Sequence, residues 1–292
     1  PCSAAATFTT NRVQAAPIHV TRRHLQAGPV RAIVVNSGNA NACNGPQGEA
    51  DARRMTELVA ERLGIKPEEV LVASTGVIGE PLPMDKIAAG IAAAAEQLSE
   101  AGGDDAAEAI MTTDTRPKQA ALTVKVAGRT FTIGGMAKGS GMIHPNMATM
   151  LAFVTTDAPV EPSFLRKSVK AAVDRSFNLI SVDGDTSTND MVVVLANGAA
   201  AGEPIREGSA EAAAFRAGLE QLCVRLARQI AADGEGATKL IEVCAANAAT
   251  QEDARKVVRA ISTSPLVKTA VYGEDANWGR ILCAAGYSGA EF

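Results

Sequence analysis

The sequence predicts a mixed α/β chain in which helices cover the faces of buried sheet. Three observations carry that prediction. Short apolar runs bounded by Gly, Asn and Ser alternate with longer stretches of helical period. A hairpin-like segment of strand character sits near the middle of the chain. At 47% hydrophobic and 21% charged residues, the 292-residue chain has the composition of an ordinary globular protein.

In order along the chain, residues 32–35 read as a short buried strand, followed by an Asn- and Gly-rich loop over 36–45. Residues 47–63 place Met55, Leu58, Val59 and Leu63 at helical spacing. Residues 70–73 read as a second buried strand running into Ser74-Thr75-Gly76, before an alanine-rich helix over 85–98 and a shorter one over 106–111. A β-hairpin is expected from 121–126 and 130–133, turning at Ala127-Gly128-Arg129. A glycine-rich passage over 134–141 follows it, and 149–155 is again strand-like. Next come a helix over 161–177, a strand over 191–195 and a long amphipathic helix over 210–232. Apolar segments at 240–245 and 267–271, with helices at 252–261 and 278–285, complete the pass. Residues 18–21 (Ile-His-Val-Thr) read as strand from their β-branched content. There is no internal repeat and no low-complexity linker, so length alone allows one large or two ordinary domains.

Composition narrows the function classes. A net charge of −4 and only ten aromatic residues argue against a nucleic-acid footprint, which needs a basic face and stacking platforms. The cysteines at 2, 43, 223, 244 and 283 are odd in number and never spaced as CxxC, so reduced thiols and a cytoplasmic location are expected. Apolar runs such as 191–196 are too short to span a bilayer. Beginning at Pro1 without an initiator methionine, the sequence is expected to be a piece of a longer protein.

Several chemistries find no motif. HExxH and GxSxG are absent, and His19 and His24 lie five apart with no acid or thiol nearby, so they read as surface histidines and no metal is assigned. The stretch 134–141 is glycine-rich, but Lys138 precedes Gly139 and Pro145 blocks a long helix, which is the wrong order for a phosphate loop. The acidic run Asp183-Gly-Asp-Thr-Ser-Thr-Asn-Asp190 has no closing Glu for a calcium loop, and side chains bonding their own backbone are the expected arrangement.

What the glycine-rich stretch does supply is a tightly turning approach to Ala148-Thr149. A small residue before a threonine suits intramolecular attack of the hydroxyl on the Ala148 carbonyl, an N-to-O acyl shift and hydrolysis. The freed α-amine, with a pKa of about 7.7–8.0, then acts as general base for its own hydroxyl. Taken alone, an Ala-Thr pair more often opens an ordinary strand.

The run Lys138-Gly-Ser-Gly-Met-Ile-His-Pro-Asn-Met-Ala-Thr149-Met-Leu closely resembles the cleavage-site signature of the ornithine acetyltransferase (glutamate N-acetyltransferase) family. Further segments resemble that family in the same order: Asn36-Ser-Gly-Asn-Ala-Asn-Ala-Cys43, Ala73-Ser-Thr-Gly-Val-Ile-Gly79, Ile110-Met-Thr-Thr-Asp-Thr115 and Asp233-Gly-Glu-Gly-Ala-Thr-Lys239. The acidic run 183–190, Ser264-Pro-Leu-Val-Lys-Thr269 and Asn277-Trp-Gly-Arg280 extend the match almost to the end.

The resemblance implies a layered α-β-β-α sandwich of the self-processing ornithine acetyltransferase and aminopeptidase type. It implies cleavage between Ala148 and Thr149 into an α-chain (1–148) and a β-chain (149–292), associated as a heterotetramer. Thr149 would carry the acetyl group from N2-acetylornithine to glutamate in arginine biosynthesis. Thr75 and Gly76 would stabilise the oxyanion, though alone they read as a strand-ending turn. Thr112, Lys138 and Glu235 would bind substrate with Thr149; lysine suits an α-carboxylate and glutamate a terminal ammonium. Lone Lys and Glu residues are otherwise usually solvated surface charges. Neighbouring Thr113 is the register alternative to Thr112. Family members also carry, beyond the position of Phe292, an Asn and a Ser or Thr that bind substrate. No cofactor, nucleic-acid or membrane partner is implied; acetyl-CoA is left open as a second acetyl donor. The competing readings are a related N-terminal-nucleophile amidase or aminopeptidase, and an inactive truncated fragment that only binds amino acids.

Overall fold

The computed structural model describes residues 2–144 and 150–291, so the expected cleavage pair Ala148 and Thr149 lies outside the described residues. Its elements in chain order are β1 (Ser3–Phe8), α1 (Ala16–Ala27), β2 (Ala32–Asn39), α2 (Gly45–Leu63), β3 (Val70–Val77), α3 (Met84–Glu96), α4 (Gly103–Ala109), β4 (Lys118–Val126) and β5 (Arg129–Lys138). After these come β6 (Leu151–Thr156), α5 (Pro162–Asp174), β7 (Met191–Ala196), α6 (Ala212–Ala232), α7 (Gln251–Thr263), α8 (Pro265–Tyr272) and α9 (Trp278–Gly286).

Five strands form one sheet in the order β1-β7-β6-β5-β4, and β2 and β3 form a second, parallel pair. The central strands β6 and β7 run parallel, with Leu151 opposite Met191. Both are covered on each face, which is why they read as unbroken apolar runs rather than alternating ones. On one face Val154, Val192 and Ile133 pack against Phe164 and Val169 of α5 and Phe215 and Leu219 of α6. Phe215 sits between Phe131 and Phe164, with ring centroids 6.0 Å away in each case. Burial of each such ring contributes about 1.5–3 kcal/mol.

On the opposite face Leu151, Phe153, Met191 and Val193 pack against Leu71 and Ala73 of β3 and Ile18 of α1. The outer side of β3, through Val72, is covered by Met55 of α2, Ile91 of α3 and Val20 of α1. The layers are therefore helix, five-stranded sheet, two-stranded sheet, helix, the α-β-β-α sandwich expected. The large sheet takes β1, β4 and β5 from residues before position 149 and β6 and β7 from residues after it.

One local expectation, the strand over 18–21, is corrected, and three segments whose element type the sequence leaves open are placed. Residues 18–21 lie in α1, opened by Pro17 at its first turn; Pro17, Ile18, Val20, Thr21 and His24 are buried at helical rather than alternating spacing. The start of the glycine-rich passage is not loop: β5 runs on through Gly134 and Gly135 to Lys138, because β4 and β6 supply partners on both sides. Residues 267–271 are helical within α8, capped by the Ser264 hydroxyl accepting from the Val267 N–H at 3.3 Å. Residues 240–245 form no regular element. Strand β1 has no counterpart in the sequence reading; its short alanine-rich run is held by antiparallel pairing to β7, far along the chain.

Candidate active site

The C-terminal ends of β3 and β5 place the expected residues. Thr75 and Gly76 close β3, facing Ser37 and Gly38 of β2 in register. Gly76 has φ +132°, and a Cβ there would lie 2.2 Å from the Gly38 carbonyl carbon, so no other residue fits. The turn is braced from outside. The Asn189 amide donates to the Ser74 carbonyl at 2.8 Å and the Ala40 carbonyl at 2.6 Å. Ser74 Oγ donates to Asn36 Oδ1 at 2.5 Å.

Lys138 ends β5 and is buried. Its ammonium donates to Thr112 Oγ1 at 2.7 Å and Thr75 Oγ1 at 3.3 Å, and lies 3.6 Å from Asp114 Oδ2. A hydroxyl oxygen that accepts from Lys138 is left with its own hydrogen to donate elsewhere, which prepares Thr75 as a hydrogen-bond donor. The contact falls on Thr112, so that residue and not Thr113 bonds Lys138.

Behind Lys138 lies a buried network of charges. Asp114 Oδ1 accepts from Lys118 Nζ at 2.6 Å and from the Gly139 N–H at 2.7 Å; Oδ2 accepts from the Thr112 N–H at 3.1 Å. Lys118 also bonds Asp233 Oδ2 at 2.6 Å, and Asp233 accepts from both the N–H and the hydroxyl of Thr115. Burial alone would raise the Asp114 carboxyl, but Lys118, the Gly139 N–H, Lys138 and the Thr112 N–H together hold it below the usual range. Asp233 is likewise held down, by Lys118 and Thr115 against burial. Burial pushes the Lys138 amine below its ordinary value, with Asp114 opposing it.

Glu235 reaches the same neighbourhood from the segment after α6. Its N–H donates to the Ser140 carbonyl at 2.9 Å, and Ser140 Oγ donates to the Asp233 carbonyl at 2.6 Å. A Cβ on Gly141 would come within 2.5 Å of the Glu235 carboxylate, so glycine there lets the carboxylate lie against the turn after Lys138. Glu235 is exposed and lines a cavity of about 540 Å³ with Ser181, Lys239, Arg259 and Lys268, which Thr75 and Lys138 do not line. Thr75, Thr112 and Lys138 are thus in direct contact, and Glu235 adjoins them through Ser140. Thr149 and Ala148 lie outside the described residues.

Asp190 borders the site on the other side. It is fully buried; Oδ1 accepts from the Met150 N–H at 2.9 Å, and among the described residues Oδ2 has no hydrogen-bond partner within ordinary range. Burial pushes this carboxyl well above the usual range, against the Met150 N–H and the Lys138 charge. A carboxyl that holds its proton more tightly when folded stabilises the fold fully below its unfolded pKa of about 4, and that contribution is lost as pH rises towards the folded value. Asp190→Asn is therefore expected to give a shallower fall of Tm above about pH 4 than the parent. Parallel Tm–pH curves for the two proteins would contradict this.

The remaining sequence candidates fall outside this cluster. His19 is exposed, whereas His24 is buried, not a surface residue, with Nδ1 2.7 Å from the Val70 carbonyl. Asp183 bonds its own loop through the Asp185 N–H, and also reaches across to the N–H groups of Met142 and Ile143. Asp114, Asp233 and Asp190 were each inside a recognisable segment but had no assigned part. Lys118 carried no signal in the sequence at all.

The sequence model of the ArgJ family matches residues 1–292. The arginine biosynthesis bifunctional protein ArgJ of Symbiobacterium thermophilum is 63% identical over 292 residues, covering 100% of this chain and 73% of that protein. Its counterpart in Caldanaerobacter subterraneus subsp. tengcongensis is 58% identical over 287 residues, 98% of this chain and 71% of that one. A crystal structure of ornithine acetyltransferase complexed with ornithine, from Mycobacterium tuberculosis, is 48% identical, covering 50% of this chain and 78% of that chain with a TM-score of 0.46. With a family match running from first residue to last, and relatives above half identity across it, the chain belongs to the ArgJ family.

Proposed function

We propose that the chain transfers the acetyl group of N2-acetylornithine to glutamate through an acetyl ester on Thr149, after cutting itself between Ala148 and Thr149. Acetyl transfer in arginine biosynthesis is the function of the family to which it belongs. The observation that carries the site assignment is the Lys138 ammonium donating to the Thr75 and Thr112 hydroxyls, a junction of two sheets and a loop at the expected motif.

In the first half-reaction the Thr149 α-amine takes the hydroxyl proton while Oγ attacks the acetyl carbonyl. The Thr75 hydroxyl and the Gly76 N–H receive the oxyanion. The amide C–N bond then breaks, the proton passes from the Thr149 ammonium to the departing nitrogen, and ornithine leaves. In the second half, the glutamate amine attacks the ester, gives its proton to the Thr149 α-amine, and regenerates the Thr149 hydroxyl. Lys138 and Thr112 mark the place of the substrate α-carboxylate, and Glu235 that of the terminal ammonium of ornithine. The α- and β-chains stay joined because both contribute strands to the five-stranded sheet.

Incubation with labelled acetylornithine, with and without glutamate, tests this directly. Label transfer that depends strictly on glutamate is expected; equal release of acetate without glutamate would make the protein an amidase. Replacing acetylornithine by acetyl-CoA in the same assay tests the second donor. Thr75→Ala is expected to lower kcat about 10²–10³-fold, the usual effect of losing one oxyanion donor, with KM little changed. A change confined to KM would remove Thr75 from that role.

A further inference from the structure

The mechanism above uses Lys138 but leaves unexplained why its neighbour Asp114 is buried beside it. The Asp114 side chain is fully buried, and its two oxygens are divided between distinct partners. Oδ1 is fixed by the Lys118 ammonium at 2.6 Å and the Gly139 N–H at 2.7 Å. Oδ2 takes the Thr112 N–H at 3.1 Å and faces Lys138 Nζ at 3.6 Å. One carboxylate thus ties the segment carrying Thr112 to the segment carrying Lys138. It also supplies the negative charge nearest the Lys138 ammonium.

We propose that Asp114 is a positioning residue for acetyl transfer, holding the Lys138 ammonium against the Thr75 and Thr112 hydroxyls while Lys118 anchors its other oxygen. The proposal rests on the transferase reading of the site. It assigns Asp114 no contact with substrate; Asp114 acts through Lys138.

The charges that face Lys138 are Asp114 from the link after α4, Lys118 from β4 and Asp190 from the residue before β7. Burial works against the charged amine, Asp114 and Asp190 favour it, and Lys118 disfavours it. Removing the charge of Asp114 makes Lys138 lose its proton at lower pH, and removing the charge of Lys118 makes it lose the proton at higher pH. A purely structural part for Asp114 predicts no such opposition of sign.

The test is the pH profile of kcat/KM for acetylornithine in the full chain and three variants, each checked for a cooperative melt. Asp114→Asn is expected to move the alkaline limb down by about 1–3 pH units, the effect of losing an opposite charge at this range. Lys118→Gln, which keeps hydrogen-bond donors near both aspartates, is expected to move the limb up. Asp114→Glu is expected to return the limb to the parental position while kcat stays reduced. Each folded variant decides independently, so poor folding of one leaves the others. A limb that stays put in folded Asp114→Asn, or that moves the same way in Asp114→Asn and Lys118→Gln, overturns the proposal. Absence of acetyl transfer by the parent chain overturns the transferase reading itself, and the part of Asp114 with it.

Discussion

Thr149→Ala is expected to leave the chain in one piece and to reduce acetyl transfer by a factor on the order of 10⁶, the scale seen when a covalent nucleophile is removed. The reason is that one hydroxyl serves twice. It attacks the Ala148 carbonyl to cut the chain, and it later carries the acetyl group. Alanine removes the attacking oxygen, so the peptide bond stays intact and the α-amine that acts as base is never freed. Thr149→Ser separates the two losses, because a serine hydroxyl still attacks; it is expected to cut and to transfer, more slowly on both counts. Fragment masses and a glutamate-dependent assay on the same samples check the pair. Efficient transfer by uncut Thr149→Ala would remove Thr149 from the mechanism.

Lys118→Ala is expected to cost about 3–5 kcal/mol of stability, the range for breaking a buried ion pair by removing one partner. The Lys118 side chain is fully buried between Asp114 and Asp233, 2.6 Å from each. Alanine leaves those two buried carboxylates without the ammonium that neutralises them. Urea unfolding should show a lower midpoint with an unchanged slope. The pH dependence follows from the depressed carboxyls of Asp114 and Asp233. Their contribution is present above the unfolded carboxylate pKa of about 4 and is lost as pH falls through the lower folded values. Lys118→Ala should therefore be least stable relative to the parent at neutral pH, with the difference narrowing under acid. A loss below about 1 kcal/mol at neutral pH would mean the network contributes little.

The layers of the fold were legible in the sequence where local pattern and tertiary burial agree. Helices α2, α3, α5 and α6 and strands β2, β3, β6 and β7 follow from period and apolar run length. The misreading of residues 18–21 has a simple cause, namely that four residues do not define a period. Residues 18–21 and 267–271 are rich in β-branched types yet lie on helices, because Pro17 and Pro265 open helical turns just before them. Strand β1 depends on pairing with β7 and leaves almost no local trace.

The site was legible to the extent that chemistry sat inside recognisable segments. Thr75, Thr112 and Lys138, each named from a recognisable segment, lie in direct contact. The supporting charges were not legible, since nothing local marks Lys118, in a strand of alternating burial, as the partner of an aspartate 115 residues away. Asp190 was visible as an acid in an acidic run. Only the fold shows it fully buried and bonded to the Met150 N–H.

Intact-mass spectrometry of the purified chain, quenched in acid after mixing with acetylornithine in the absence of glutamate, tests the central claim most directly. The account predicts a fragment that begins at Thr149 and is heavier by one acetyl group, and predicts that added glutamate discharges it. An acetyl group on any other residue, or an uncut chain that turns over acetylornithine and glutamate, would contradict it.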